Sequence, residues 1–216
     1  MKKRGRFITF EGIEGTGKST QIRRLAAFLR RRGIRAVVTR EPGGTEAAER
    51  VRRLLLARGR RWSPLEELLL VNAARVSHVR EVIRPALEAG RWVLCDRFTD
   101  ATLAYQGYGR GIAPGDVRAA NLLATRGLAP DRTLLLDLPL RRSLRRARQR
   151  PAARNQFEDE SDAFHRRVHR GYRALARREP RRIHAIPAAG PRAAVGERIR
   201  QALADLLSPP KRRRPG

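Results

Sequence analysis

Short apolar runs alternate with longer amphipathic ones along the chain. Residues 6–10 read as a first strand. A helix follows, with Ile22, Leu25, Ala26 and Leu29 on one face and Gly33 at its end. Residues 34–39 read as a second strand and residues 45–57 as a helix. At Ser63-Pro64-Leu65-Glu66 a helix starts, with Ser as N-cap, Pro at the first position and Glu three residues after the cap. Its pattern runs to Ala89, with a bend expected at Pro85, and closes at Gly90. Residues 91–95 form a strand ending at Asp96, residues 116–126 a helix, and residues 133–137 a continuously apolar strand of the kind buried on both faces of a parallel sheet. A helix starting at residues 140–148, a polar loop over 149–159, a helix over 161–178, a short strand over 183–186 and an amphipathic helix over 191–207 complete the order. This alternation predicts an α/β fold, a doubly wound parallel sheet with helices on both faces. One domain is expected over residues 1–208, with a small lid segment at about 149–160 and a basic, disordered tail at 209–216.

Composition changes this picture little. The 216 residues suit one sizeable core. No apolar run reaches membrane-spanning length, and residues 8–13, broken by Glu11 and Gly12, do not make a signal peptide. A cytoplasmic protein is expected. A single cysteine, Cys95, excludes an intramolecular disulfide framework and reads as a small core residue. The net charge of +28 is spread along the whole length. Attraction of polyanionic nucleotides accounts for it, and nucleic acid is not expected as a partner. Only Lys211-Arg212-Arg213-Arg214 is a compact basic cluster.

The chemistry begins at Gly12-Ile13-Glu14-Gly15-Thr16-Gly17-Lys18-Ser19. This stretch fits G-x-x-x-x-G-K-[ST] at every defined position, between a strand and an amphipathic helix. The glycines let successive backbone N–H groups turn inward on phosphate oxygens, and the helix N-terminus adds its positive end. The motif assigns Lys18 to the β- and γ-phosphates of ATP and the Ser19 hydroxyl to Mg²⁺. Asp96, at a strand end, is the second Mg²⁺ candidate. No Asn-Lys-x-Asp guanine-reading signature is present. The expected class is therefore a P-loop NTPase; the phosphate loop alone does not separate kinases, GTPases and ATPases, and the absent signature weighs only against the GTPase. Residues 40–44 follow the second strand and Asp96-Arg97 the third, so both loops open on the same sheet edge as the phosphate loop. Arg97 has the forked geometry to hold a phosphate.

Four stretches then resemble the thymidylate kinase family: Phe10-Glu11-Gly12-Ile13-Glu14-Gly15, Thr39-Arg40-Glu41-Pro42-Gly43-Gly44-Thr45, Asp96-Arg97-Phe98 and Ala104-Tyr105-Gln106-Gly107-Tyr108-Gly109-Arg110-Gly111. The resemblance covers nearly the whole chain. It implies phosphoryl transfer from ATP to dTMP by a homodimer that packs through helices including residues 63–89. It places Arg97 between donor and acceptor phosphates, with Lys18 and Asp96 beside it in the catalytic set. Arg40, Glu41 and Pro42 fall on the acceptor side, Arg75 and Gln106 on the thymine edge, Thr102 beside the base, and Tyr105 under the deoxyribose, where it would exclude a 2′-hydroxyl.

Three positions depart from the family pattern. Val71 stands where a stacking Phe is usual, and Ala101 where Ser is common. In the lid, the family's D-R-[apolar]-E appears as Asn155-Gln156-Phe157-Glu158. Arg154, Arg150 or Arg148 would replace the missing arginine, with Arg154 assigned the catalytic role. Two other readings remain: a related kinase for another nucleoside monophosphate, favoured by Val71, and a non-catalytic nucleic-acid or polyphosphate binder, favoured by the charge and the altered lid.

Overall fold

The computed structural model describes residues 4–57, 59, 62–149 and 156–207. Its elements run β1 (Phe7–Glu11), α1 (Lys18–Arg31), β2 (Ala36–Arg40), α2 (Glu46–Leu56), α3 (Pro64–His78), a π-helical turn (Val79–Ile83), α4 (Arg84–Glu88), β3 (Trp92–Asp96), α5 (Thr99–Thr102), a π-helical segment (Leu103–Gly109), α6 (Pro114–Thr125), β4 (Arg132–Asp137), α7 (Leu140–Arg148), α8 (Asp162–Arg178), β5 (Ile183–Pro187), α9 (Arg192–Ala202) and α10 (Ala204–Leu207). The five strands are parallel, in the order β2-β3-β1-β4-β5.

Strand alternation sorts the core into two faces. Ile8 and Phe10 of β1 and Leu134 and Leu136 of β4 pack with Ile22, Leu25 and Leu29 of α1 and with Val195 and Ile199 of α9. On the other face, Phe7 packs with Val79, Ile83 and Phe98, while Leu135 meets Phe164, Val168 and Tyr172 of α8. The same alternation turns Thr9 and Glu11 toward this second face, under the functional edge.

Helix starts follow the capping chemistry. The Ser63 hydroxyl accepts from Glu66 N (3.3 Å) while Glu66 Oε2 accepts from Ser63 N (2.7 Å), completing the capping box. Thr45 and Ser161 cap α2 and α8 more simply, each side-chain hydroxyl accepting from the backbone N–H three residues on, Ala48 N (3.1 Å) and Phe164 N (3.2 Å).

Three expectations are corrected. The long helix does not simply bend at Pro85; a π-helical turn lies immediately upstream, and its wider winding relieves the crowding a proline ring imposes on an α-turn. The helix expected over 191–207 breaks at Leu203 into α9 and α10. Residues 99–109, assigned no element from sequence, are helical. Their glycines lower intrinsic helix propensity, but close packing requires them. A Cβ on Gly109 would lie 2.7 Å from the Phe164 ring, and one on Gly171 would lie 2.7 Å from the Tyr108 ring. These two glycines let the π-helical segment lie directly on α8, which brings Tyr105 and Tyr172 to the same site.

Candidate active site

β1 delivers the phosphate loop at its carboxyl end, and Gly17 caps α1 in the left-handed region (φ +95°), with open space where a Cβ would stand. Lys18 Nζ donates to Gly12 O (2.9 Å) and Ile13 O (3.1 Å), which folds the amine back over its own loop. Burial, then the like charge of Arg97, lowers its pKa to about 8. Phosphate oxygens favour the ammonium form, so ATP binding near pH 8 is expected to take up a proton and to weaken as pH rises further. Titration calorimetry in buffers of different ionisation enthalpy reads this directly. An uptake unchanged in Lys18→Met would overturn the assignment.

Ser19 Oγ donates to Asp96 Oδ2 (3.3 Å), and Asp96 Oδ1 is buried without a hydrogen-bond partner among the described residues. A hydroxyl beside a carboxylate with an unused lone pair is a donor set a hard cation accepts. Among the described residues no group of three or more His, Cys, Asp or Glu side chains could hold a metal.

Arg97 sits in the left-handed region (φ +73°), an uncommon conformation for a non-glycine residue. Its Nη2 donates to Glu14 Oε1 (2.7 Å) and its Nη1 to Tyr172 OH (3.0 Å), and its guanidinium lies over the Tyr105 ring at 4.8 Å. Tyr105 OH donates to the same Glu14 oxygen (2.8 Å). Glu14, counted with the phosphate loop from sequence, thus turns its side chain toward Arg97 and Tyr105. Burial raises its pKa, but the charges of Arg97 and Lys18 more than offset that and hold it below the ordinary carboxylate value.

Behind Arg97 lies a residue that sequence reasoning quoted but gave no role. Glu11, fully buried, accepts from Phe98 N (2.8 Å) and Tyr172 OH (2.8 Å). It thereby fastens the turn that carries Arg97. Burial, then the negative charge of Asp100, pushes its pKa to about 8.

One cleft beside the phosphate loop brings together Glu14, Glu41, Pro42, Val71, Arg75, Arg97, Thr102, Tyr105 and Gln106. Arg75 is almost wholly buried. Its Nε donates to Glu41 Oε2 (2.8 Å), its Nη1 to Asn72 Oδ1 (3.0 Å) and Asn121 Oδ1 (2.7 Å), and its Nη2 to Thr102 Oγ1 (2.8 Å). A guanidinium has five N–H groups, so one Nη2 hydrogen is left to offer the cleft. Glu41 also pairs with His78 Nδ1 (3.0 Å), which locks it against Arg75.

One expected site residue among those described is not in the cleft. Arg40 pairs with Glu49 (2.9 Å) and lines the neighbouring groove with Ser19 and Asp96. Arg154 and Arg150 lie outside the described residues. Arg148 pairs with Asp162 (3.2 Å) beside a pocket it shares with Glu14 and His165. Sequence reasoning missed Phe157, which lines the cleft and meets the Tyr105 ring edge-on at 5.8 Å. Together with Phe98, it supplies the aromatic lining that Val71 lacks. Its signal was the apolar place in the lid pattern.

A phosphate loop, a strand-end Asp and a buried arginine cleft on one edge of a five-stranded parallel sheet define a P-loop nucleotide kinase. The sequence model of the thymidylate kinase family matches residues 10–199. Similar proteins include thymidylate kinases of Rhizorhabdus wittichii (50% identical over 94% of this chain and 99% of the relative) and Desulfovibrio desulfuricans (54% identical over 93% and 96%). The crystal structure of thymidylate kinase from Ehrlichia chaffeensis superposes with a TM-score of 0.75 at 35% identity, over 93% of this chain and 99% of that one. The chain belongs to the thymidylate kinase family, and its reaction is phosphoryl transfer from ATP to dTMP.

Proposed function

We propose that this reaction runs across the line from Lys18 through Arg97 to the Arg75–Gln106 end of the cleft. The carrying observation is the position of Arg97, half-buried between the phosphate loop and the acceptor cleft and tied to Glu14, which lines that cleft. ATP lies on residues 12–19, with Mg²⁺ held by Ser19 and Asp96 to neutralise phosphate charge. The dTMP phosphate approaches Arg97, its sugar rests on Tyr105, and its base reaches Arg75 and Gln106, with Thr102 and Pro42 alongside. Glu14 Oε2 is buried without a partner among the described residues, so a substrate hydroxyl is a natural donor to it. Catalysis then needs no covalent intermediate, since positioning and charge neutralisation suffice.

ADP formation from ATP·Mg²⁺ with dTMP, dUMP, ribosyl TMP, dCMP and dGMP tests the assignment. Turnover with dTMP well above the rest supports it. Equal turnover with all five sinks the base-site reading, and no turnover with any acceptor sinks the kinase reading.

The outward faces of α3 and α6 carry exposed Leu65, Leu69, Val76, Leu122 and Leu123, the last 82% exposed. Exposed apolar side chains on two helices that pack against each other fit the homodimer interface of a cytoplasmic enzyme. Light scattering should give twice the chain mass, and Leu69→Glu with Leu123→Glu should give the monomer. Among the described residues no helix is long and apolar enough to cross a membrane.

A further inference from the structure

Gln106 does not stand alone at the base end of the cleft. Its Nε2 donates to Glu67 Oε2 (3.2 Å), and Glu67 is itself 1% exposed on α3. Arg110 grips the same carboxylate twice, from Nε to Oε2 (2.9 Å) and from Nη2 to Oε1 (2.7 Å). Arg110 also pairs with Glu160 (2.6 Å) and lies over the Phe164 ring at 4.6 Å, so the fork has little freedom to let go.

A side-chain amide can present either end to a ligand, and what it faces behind decides which. A carboxylate paired to a guanidinium offers only lone pairs. It accepts an N–H and repels a carbonyl oxygen. Glu67 therefore draws the nitrogen of Gln106 away from the cleft and leaves its oxygen as the group to be offered there. Arg75 contributes the remaining Nη2 hydrogen. The base end then presents one donor and one acceptor. Thymine matches this pair with a carbonyl at position 4 and an N–H at position 3. Cytosine carries the reverse, an amino group and a bare ring nitrogen.

We propose that Glu67 is a positioning residue for base selectivity. By fixing the orientation of the Gln106 amide, it makes the site accept a base N–H and reject a base that offers a lone pair in its place. The inference rests on the placement of the base against Arg75 and Gln106 proposed above. A wild-type enzyme without preference for dTMP over dCMP would overturn that placement, and this inference with it. The remaining outcomes concern Glu67 alone.

The test is the ratio of kcat/KM for dTMP to that for dCMP. In Glu67→Gln the new amide can donate to the oxygen of Gln106, so the Gln106 amide can turn its N–H toward the cleft. The ratio should fall by roughly tenfold or more, through a lower value for dTMP and a higher one for dCMP. A merely structural loss would lower both together. Arg110→Lys supplies the matched control. It weakens the fork but leaves Glu67 an acceptor, so melting should move while the ratio stays within about twofold of wild type.

Should Glu67→Gln not fold, the pair Glu67→Met with Arg110→Met removes both charges and leaves no buried ion unpaired. It frees the Gln106 amide, and the ratio should again fall. A folded Glu67→Gln, or the folded double variant in its place, that keeps the wild-type ratio overturns the proposal. So does an equal change in the ratio from Arg110→Lys.

Discussion

Arg97→Ala should lower kcat for dTMP by about 10³ while leaving ATP binding nearly intact. The guanidinium is the only described cation that reaches from the phosphate loop, through Glu14, to the lining of the acceptor cleft. It is also held in advance. Glu14 and Tyr172 fix its two terminal nitrogens, the Tyr105 ring lies under its plane, and Glu11 fastens the turn behind it. A positive group placed before the reaction stabilises developing phosphoryl charge without reorganising, and that is where its effect on rate comes from. Ala keeps a Cβ in the left-handed backbone, so local strain stays as it was and the loss reports on the side chain.

Arg97→Lys separates charge from geometry. It retains the cation but not the fork that meets two oxygens at once, and should recover only part of the rate, leaving a deficit on the order of 10². An independent readout accompanies the rate. The positive charge of Arg97 helps lower the pKa of Lys18, so in Arg97→Ala that pKa should rise and proton uptake on ATP binding at pH 8 should shrink. Single-turnover kinetics with saturating dTMP, read beside calorimetry, decide the matter. A kcat within tenfold of wild type would remove Arg97 from the catalytic set.

Different parts of this molecule were legible in the sequence to different degrees, for physical reasons. The phosphate loop is local. Its glycines, lysine and serine act at fixed spacing on one turn of chain, so eight consecutive residues announce the chemistry. Strands and capped helices were legible because alternation and the Ser63–Glu66 box are short-range signals. Residues 99–109 failed because their helical state is imposed from outside, by the contact of Gly109 and Gly171 with facing rings, against their own propensity. The partners of the site residues failed for a similar reason. Glu67 meets Gln106 across 39 positions and Glu11 meets Tyr172 across 161, separations that no periodicity reveals. Val71 shows the converse. Its lack of a ring looked like a lost contact from sequence, and the fold brings Phe157 and Phe98 to the same cleft from elsewhere. Arg40 was placed in the cleft by its loop, but its pairing with Glu49 turns it into the next groove.

The largest effect on stability is expected far from the substrates, at Arg182. This residue follows α8 and donates from Nη1 to Asp100 Oδ2 (2.7 Å) and from Nη2 to Asp100 Oδ1 (2.8 Å), a two-bond grip on a carboxylate 3% exposed. Nη1 also reaches Thr133 Oγ1 (2.9 Å), which bonds Thr9 in turn (2.8 Å). One arginine therefore ties α5, β4 and β1 together beneath the Arg97 turn. Arg182→Ala leaves Asp100 buried without its counter-charge and close to Glu11. Breaking one side of such a pair costs about 3–5 kcal/mol, and the partial exposure of Arg182 argues for the lower end. At roughly 2–4 °C per kcal/mol for a chain of this size, Tm should fall by about 6–12 °C.

Adding Asp100→Asn to Arg182→Ala removes the stranded charge and should restore much of the loss. The pH dependence gives a second check with a definite sign. Glu11 is raised to about 8 in the folded protein by burial and then by Asp100. Its stabilising contribution is therefore present at low pH and is lost as pH rises through about 8. With Asp100 neutralised, that pKa should drop and the fall of Tm between about pH 5 and 8 should flatten. Calorimetric melting of the three proteins across this range tests both claims. A fall in Tm of less than about 2 °C in Arg182→Ala would show that the Asp100 pair does not hold the site in place.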